Sequence, residues 1–205
     1  MTCAKKGDIR SRCILNRPHQ HSTTATSYSG LGGSLEKKGE NDKCIEYYKK
    51  ALAIRLKVFG DQHNSTALIY NNLGFVLRKK EEYIQCIEYY KKSLNIFIKL
   101  KGDNHPVVGI NYNNIGAAYG DLKDFGNALI YCEKSLVIKR KHYTEDHPSI
   151  GKTYENIGDI YKGKNNQNKA KEYYQKAYNI FKIKMGINHE RTKLMEKHLK
   201  ELNGI

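Results

Sequence analysis

Histidine offers the widest choice of chemistry in this 205-residue sequence, because its imidazole can act as an acid, a base or a metal ligand. His105 lies in the stretch DNHPVVGINYNNIGAAYG, directly before a proline and upstream of three glycines. A stretch of this composition could supply a catalytic base beside a phosphate-binding loop. The histidine is one of five spaced 42 residues apart, which are His21, His63, His105, His147 and His189. This spacing indicates a structural repeat, so the repeating elements must be considered before any site.

Four other residue types recur at the same interval. The recurring tyrosines, glycines, isoleucines and lysines are Tyr28, Tyr70, Tyr112 and Tyr154; Gly32, Gly74, Gly116 and Gly158; Ile54, Ile96, Ile138 and Ile180; and Lys50, Lys92, Lys134 and Lys176. Within one copy the apolar residues are spaced as on one face of a helix, first in TSYSGLGGSLEKKGEN and again in DKCIEYYKKALAIRLKVFG. Each copy is therefore predicted to be a helical hairpin. Since neither helix can bury its apolar stripe alone, neighbouring hairpins must stack into an all-α solenoid.

The register also predicts the boundaries of the array. Four repeats are expected at about 21–62, 63–104, 105–146 and 147–188. Residues 189–205 continue the helical pattern without the register tyrosine and glycine, which predicts a polar C-terminal capping helix. Residues 1–20 lie outside the register and are predicted to be a basic, irregular N-terminal arm. A disordered arm or the remnant of an upstream repeat is favoured over a transit peptide.

The first-helix patterns YNNLGFVL and YNNIGAAY resemble the tetratricopeptide signature, in which a large aromatic residue precedes Leu-Gly. The longer period and the His-Pro linker are similar to the kinesin light chain branch of that family, over about residues 21–190. The resemblance implies a right-handed α-solenoid of tetratricopeptide hairpins with a C-terminal capping helix. It also implies a non-catalytic scaffold that binds a protein or peptide partner.

The residues that suggest chemistry each have a structural interpretation that the repeat favours. No carboxylate or thiol recurs beside the histidines, so we predict that they cap or link helices, with Pro106 and Pro148 in the first helical turn. The sequence GxxxxGK[ST] does not occur, and the glycines are expected to let helices approach closely. The two later repeats carry alanine at the position that Cys44 and Cys86 occupy in the first two repeats, which predicts small, buried thiols. We therefore predict no enzymatic activity, no cofactor and no metal.

Composition narrows the environment and the class of partner. The five cysteines are widely spaced and form no CxxC pair, which favours a reducing compartment, and we expect a cytoplasmic protein without membrane insertion. Lys and Arg number 36 against 21 Asp and Glu, a net charge of +15 that attracts acidic peptides, nucleic acid or anionic surfaces. Most lysines recur on the second helices, the expected outer surface, and the tyrosines occupy packing positions. Nucleic-acid or anionic-surface binding is therefore the second interpretation, after peptide binding.

The candidate site lies on the first helices, which line the concave face of such a solenoid. Asn72, Asn114 and Asn156 follow the register tyrosines by two residues, and Gly30 takes that place in the first repeat. An asparagine carries a donor and an acceptor, so a ladder of three could hold an extended peptide backbone, although each could also simply solvate its helix. In kinesin light chain repeats the matching asparagines help to hold acidic cargo peptides, which the resemblance carries over to this chain. The predicted basic neighbours of the groove are Arg78, Lys79, Lys152 and Lys162.

Overall fold

The computed structural model describes the backbone of residues 7–204 and the side chains of residues 21–204. The described part of the chain forms nine helices joined by short turns. Their bounds are α1 Gly7–Lys37, α2 Asn41–Phe59, α3 Asn64–Lys79, α4 Tyr83–Lys101, α5 Pro106–Asp121, α6 Phe125–His142, α7 Pro148–Gly163, α8 Gln167–Met185 and α9 Glu190–Asn203. The prediction of an all-α fold is confirmed.

Consecutive helices pack in the order that a stacked array requires. Helices α1 and α2, α3 and α4, α5 and α6, and α7 and α8 form four hairpins. Each second helix also packs against the first helix of the next hairpin, and α5 contacts α7 directly. At the C-terminal end α9 packs against α8, burying Thr192 and Met195, while Lys193, Lys197 and Lys200 on its other face are exposed. The structure is therefore a solenoid with a polar capping helix, as predicted.

Four of the five recurring histidines occupy the N-cap position, directly before a first helix or before α9. The imidazole Nδ1 of His63, His105, His147 and His189 accepts a hydrogen bond from the backbone N–H two residues further on, at 3.1–3.2 Å. Each ring therefore satisfies an N–H that the helix itself leaves unpaired, the role usually filled by Ser, Thr, Asn or Asp. Pro106 and Pro148 stand in the first turn, where a missing N–H costs nothing. The predicted capping role is confirmed at these four positions.

The first repeat departs from the prediction. Helix α1 begins at Gly7 and runs through His21, so this histidine does not cap, and the irregular arm predicted for 1–20 is helical over 7–20. Glycines with positive φ follow α2 and α4 at Gly60 and Gly102, whereas the register position within α1 holds Pro18. Residues 1–6 lie outside the described part of the chain.

The face of α1 that corresponds to the buried face of α3 is also more polar than that face. Ser27, Leu31 and Ser34 stand in register with Ile69, Leu73 and Val76, which α3 buries against the preceding hairpin. Leu31, which the helical pattern placed on the buried face, is 48% exposed. The two serine hydroxyls donate to carbonyls one turn earlier in the same helix. The first helix of the first repeat therefore carries two hydroxyls where the second repeat carries buried aliphatic side chains.

The register glycines set how closely the two helices of each hairpin approach. A Cβ at Gly74 or Gly158 would lie 2.8 Å or 2.6 Å from the buried ring of Tyr90 or Tyr174. In the third repeat the tyrosine is replaced by Cys132, whose Sγ would lie 2.7 Å from such a Cβ, and the Ala128 carbonyl oxygen would lie 3.1 Å from it. The glycine is thus required whether a tyrosine ring or a cysteine thiol fills the space.

We predict that Gly158→Ala lowers the free energy of unfolding by about 1–3 kcal/mol, because the added methyl must displace a ring that has no room to move. The matched control is Gly30→Ala, also in a first helix, where a Cβ meets nothing within 4 Å. This change should be neutral or stabilising by up to about 1 kcal/mol, since alanine favours the helix. Urea denaturation of both variants measures the difference, and equal effects would contradict the contact.

One buried side chain interrupts the apolar register of the second helices. Lys139 stands where the neighbouring repeats carry Phe97 and Phe181, and only 2% of its surface is exposed. Its ammonium donates to the Ser149 carbonyl oxygen at 2.8 Å and to Thr153 Oγ1 at 2.7 Å, and the described residues place no carboxylate in contact with it. Burial lowers the pKa of Lys139 from 10.5 to about 8. An unpaired charge of this kind reduces stability at neutral pH.

We predict that Lys139→Met raises the free energy of unfolding by about 1–3 kcal/mol at pH 7, because it removes a buried charge and Thr153 can still donate to Ser149. Between pH 8 and pH 10 the unfolded wild type binds more protons at this lysine than the folded protein does, so wild-type stability rises. The advantage of the variant should therefore shrink toward pH 10. Denaturant titrations of both proteins across this range measure it, and a constant difference would show that the charge is not the cause.

Candidate functional site

The first helices share one face, which looks into the array and is called here the inner face. It is formed by residues at intervals of four, three and four along each helix, and the contact between α5 and α7 shows that the first helices lie side by side. The inner-face residues are Leu68, Asn72, Phe75 and Lys79 on α3; Ile110, Asn114, Ala117 and Asp121 on α5; and Lys152, Asn156, Asp159 and Gly163 on α7. The second helices lie on the opposite, outer side.

The predicted asparagine ladder is present but is largely occupied within the protein. Asn114 Nδ2 donates to Asn71 Oδ1 at 3.1 Å, and Asn156 Nδ2 donates to Asn113 Oδ1 at 3.0 Å. Each bond joins two neighbouring first helices. The sequence analysis missed the role of Asn71 and Asn113, although the Asn-Asn pair in both repeats was the available signal.

The three predicted asparagines therefore differ in what they can offer a ligand. Asn156 has 3% of its surface exposed, so its side chain mainly joins the repeats and its role as an open contact is not supported. Asn114 is half-buried and keeps its carbonyl oxygen available. Asn72 is half-buried and has no hydrogen-bond partner among residues 21–204, since Ser29, its register partner, donates to Ala25 instead. The ladder is thus reduced to Asn72 and Asn114.

All four predicted basic residues are paired with carboxylates. Arg78 binds Asp121 of the next first helix. Lys79 lies 3.0 Å from Glu36, Lys152 lies 2.6 Å from Glu155, and Lys162 lies 2.8 Å from Glu201. The inner face consequently carries little excess positive charge from these residues. Most of the ion pairs link separate helices and so help to set the spacing of the array.

Exposed apolar side chains are the main feature of the inner face that sequence reasoning did not identify. Leu68, Phe75 and Ile110 are 48%, 39% and 43% exposed. The Lys79 ammonium lies 4.7 Å from the centre of the Phe75 ring, a cation–π contact. The available signal was their spacing. Leu68 and Phe75 share one stripe of α3 with Asn72, and Ile110 shares the matching stripe of α5 with Asn114. Together these residues form a partly apolar strip beside Asn72.

A cleft of about 280 Å³ continues this strip toward α7. Its apolar lining includes Ala117, Phe125 and Ile160, and its rim includes Asn156 and Asp159. Asp159 keeps an exposed edge, yet neighbouring protein atoms exclude enough water to raise the pKa of its carboxyl, and the hydrogen bond from the Tyr174 hydroxyl at 2.8 Å only partly offsets this. The charged side chains of Arg78, Asp121 and Lys123 also line this cleft, so it combines apolar walls with charged groups.

The described residues offer little for metal or thiol chemistry. Within residues 21–204, no group of three His, Cys, Asp or Glu side chains is placed to hold a metal ion. Cys44, Cys86 and Cys132 are buried, as predicted for the first two, and burial raises the pKa of Cys86 and Cys132 to about 12. Cys3 and Cys13 lie outside the described side chains. No helix in the described part of the chain is long and apolar enough to cross a membrane.

Stacked hairpins with a period of 42 residues define an α-solenoid, a class of proteins whose members are generally scaffolds rather than catalysts. The tetratricopeptide repeat family model matches residues 23–74, 65–141 and 109–183, so the chain belongs to the tetratricopeptide repeat family. No curated protein sequence matches the chain at a significant level.

Solved structures with the same fold include kinesin light chain-like proteins. BtubC (BKLC) from P. vanneervenii is 26% identical with a TM-score of 0.72, over 90% of this chain and 77% of that protein. A kinesin light chain-like protein of P. anserina with nearly identical TPR-like repeats is 18% identical with a TM-score of 0.72, over 90% and 88% of the two chains. The predicted kinesin light chain type of repeat is confirmed by these similarities.

A Rap protein shares the fold as well. Rap protein in complex with Competence and Sporulation Factor is 18% identical with a TM-score of 0.72. The match covers 85% of this chain and 47% of the Rap protein, so this chain corresponds to about half of it. At this identity the similarity shows the fold alone.

The asparagine contacts predict different effects at equivalent positions. Asn156→Ala leaves the buried Asn113 carbonyl oxygen without its donor, so we expect the free energy of unfolding to fall by about 1–3 kcal/mol. Asn72→Ala breaks no hydrogen bond in the described structure and should change stability by less than about 0.5 kcal/mol. Thermal or urea denaturation tests both, and a similar loss in the two variants would contradict the assignment.

Proposed function

We propose that this protein is a non-catalytic interaction scaffold that binds an extended peptide segment along the inner face of α3 and α5. The main support is the strip formed by Leu68, Phe75 and Ile110, since folded proteins seldom leave several large apolar side chains exposed together without a binding role. The strip lies on a concave surface built from rigid helices, the arrangement by which repeat proteins present binding surfaces.

The polar groups beside the strip suit a peptide backbone. Asn72 offers both a donor and an acceptor, and Asn114 offers its carbonyl oxygen while its amide nitrogen is held by Asn71. The bond to Asn71 fixes the orientation of Asn114, which reduces the entropy lost on binding. A ligand would place apolar side chains on the strip and one side chain in the neighbouring cleft.

An acidic ligand remains part of the proposal, although the predicted basic residues are already paired. Ion pairs at partly exposed positions contribute only about 0–1 kcal/mol, so a ligand carboxylate could replace Glu36 at Lys79 with little loss. Lys123, at the rim of the cleft, has no ion pair among the described residues and offers a second contact. The preference for acidic peptides would thus arise at the C-terminal ends of α3 and α5.

Two features of related proteins support this function. Kinesin light chain-like proteins share the repeat type, and the Rap protein of the same fold binds a partner, Competence and Sporulation Factor. Buried thiols suit a reducing environment, so a cytoplasmic location is proposed as well.

We predict that Leu68→Gln with Ile110→Gln weakens peptide binding by about tenfold or more, because the apolar strip loses both of its aliphatic side chains. Asn72→Ala should weaken it by about threefold to tenfold through the lost backbone contact. The measurement is a fluorescence titration against libraries of extended peptides sorted into acidic, neutral and basic pools, with binding expected in the micromolar range.

The matched control is Ile183→Gln, which replaces an aliphatic residue that is 71% exposed on the outer side of α8. It should bind peptides as the wild type does. Equal affinity of this control and the double variant would remove the strip from the proposal. Equal binding of the three pools would keep the groove but remove the preference for acidic ligands.

A further inference from the structure

Within residues 21–204, the lysines that form no ion pair lie mainly on the outer side. The inner-face cations are paired with carboxylates, whereas the second helices carry lysines that form no ion pair within residues 21–204. These lysines include Lys92 and Lys99 on α4 and Lys134 and Lys141 on α6, and all four are exposed. An acidic partner is therefore attracted to the outer side at least as strongly as to the groove.

The outer face of α6 combines this charge with exposed apolar surface. Ile130, Lys134, Val137 and Lys141 follow one another at intervals of four, three and four residues, so they lie on one stripe of the helix. Ile130 is 51% exposed and Val137 is 56% exposed. These four residues are called the α6 stripe. No other second helix in the described part of the chain alternates two aliphatic and two basic residues in this way.

The matching stripes on the other second helices carry a carboxylate where α6 carries Ile130. These residues are Glu46, Glu88 and Glu172. Two of them neutralise the lysine one turn later, since Glu46 lies 2.6 Å from Lys50 and Glu172 lies 2.6 Å from Lys176. The replacement of this carboxylate by Ile130 therefore leaves Lys134 without an ion-pair partner one turn earlier and adds apolar surface. The loss of a carboxylate and the gain of an aliphatic side chain in a single repeat are more typical of a binding surface than of a solvated helix.

The two lysines of the α6 stripe are positioned without being neutralised. The Lys134 ammonium lies 5.7 Å and 5.5 Å from the centres of the Tyr112 and Tyr131 rings. Lys141 donates to Asn104 Oδ1 at 2.8 Å. Both ammonium groups are thus held by uncharged partners, which lowers the entropy lost when a carboxylate binds. Arg140 is already paired with Glu145, and Glu133 lies beside the stripe at the edge of a neighbouring crevice.

We propose that the α6 stripe is a second docking surface, separate from the groove, for an acidic amphipathic helix of a partner protein. Carboxylates of the partner pair with Lys134 and Lys141, and its aliphatic side chains cover Ile130 and Val137. A nucleic-acid backbone would gain nothing from the two aliphatic residues. A lipid bilayer needs a broader apolar face than two residues provide.

The experiment compares five proteins: the wild type, Lys134→Glu with Lys141→Glu, Ile130→Gln with Val137→Gln, the groove variant Leu68→Gln with Ile110→Gln, and the control Lys171→Glu with Lys193→Glu. The control changes the net charge equally at exposed lysines that form no ion pair in the described structure. The probe is a synthetic helical peptide with glutamate and leucine at the complementary spacing, together with a scrambled peptide of the same composition. A single-stranded oligonucleotide and vesicles containing phosphatidylserine are tested in parallel.

The proposal expects charge reversal on the α6 stripe to weaken binding of the patterned peptide by about tenfold or more, and the control to change it by less than about twofold. The glutamine variant should also weaken binding, including at high salt, where charge is screened. Leu68→Gln with Ile110→Gln should leave this peptide unaffected, so failure here is separable from failure of the groove.

Three results would overturn the proposal. Equal binding of the scrambled peptide would show a general charge effect. Equal loss in the control variant would show that position does not matter. Binding of the oligonucleotide or the vesicles that depends on the α6 stripe, with no binding of the patterned peptide, would assign the surface to another class of partner.

Discussion

The close approach of two helices at a register glycine is the constraint on which the other features of this structure depend. At Gly74 and Gly158 the missing side chain makes room for a buried tyrosine ring, and at Gly116 it makes room for the Cys132 thiol and the adjoining backbone of α6. This contact fixes the angle of each hairpin, and the hairpin angle decides which residues turn inward and which turn outward. The apolar strip, the paired cations and the exposed lysines all follow from that separation into two faces.

The recurring histidines show how a residue with rich chemistry can be used only for its geometry. An imidazole nitrogen two residues before a helical N–H is well placed to accept a hydrogen bond, and the same bond forms at four helix starts. Tyrosine and phenylalanine rings of the preceding segment stack on two of these histidines, at 4.0 Å and 4.4 Å between ring centres. All four linkers are thus held by a hydrogen bond, and two of them are held by a ring contact as well.

Most polar residues of the inner face already form hydrogen bonds or ion pairs with neighbouring helices, so only the remaining ones are available to a ligand. Asn114 bonds Asn71 and Asn156 bonds Asn113, because a half-buried amide without a partner costs more than an exposed one. Arg78 and Lys79 are paired across helices for a similar reason, since each lies close to a carboxylate of a neighbouring repeat. Residues left out of these pairs, such as Asn72 and Lys123, are therefore the more informative candidates for binding.

The sequence by itself determined the helical hairpins, their period, the histidine caps and the buried cysteines, because these depend on contacts that repeat every 42 residues and leave a visible pattern. Only the tertiary structure decided which asparagines and cations remain available, because most of their partners lie on neighbouring first helices, 43 residues away in the sequence. It also corrected the first repeat, where α1 begins at Gly7 and continues through His21. Availability to a partner depends on which neighbours are already bonded, and that is a property of the packed array rather than of any single residue.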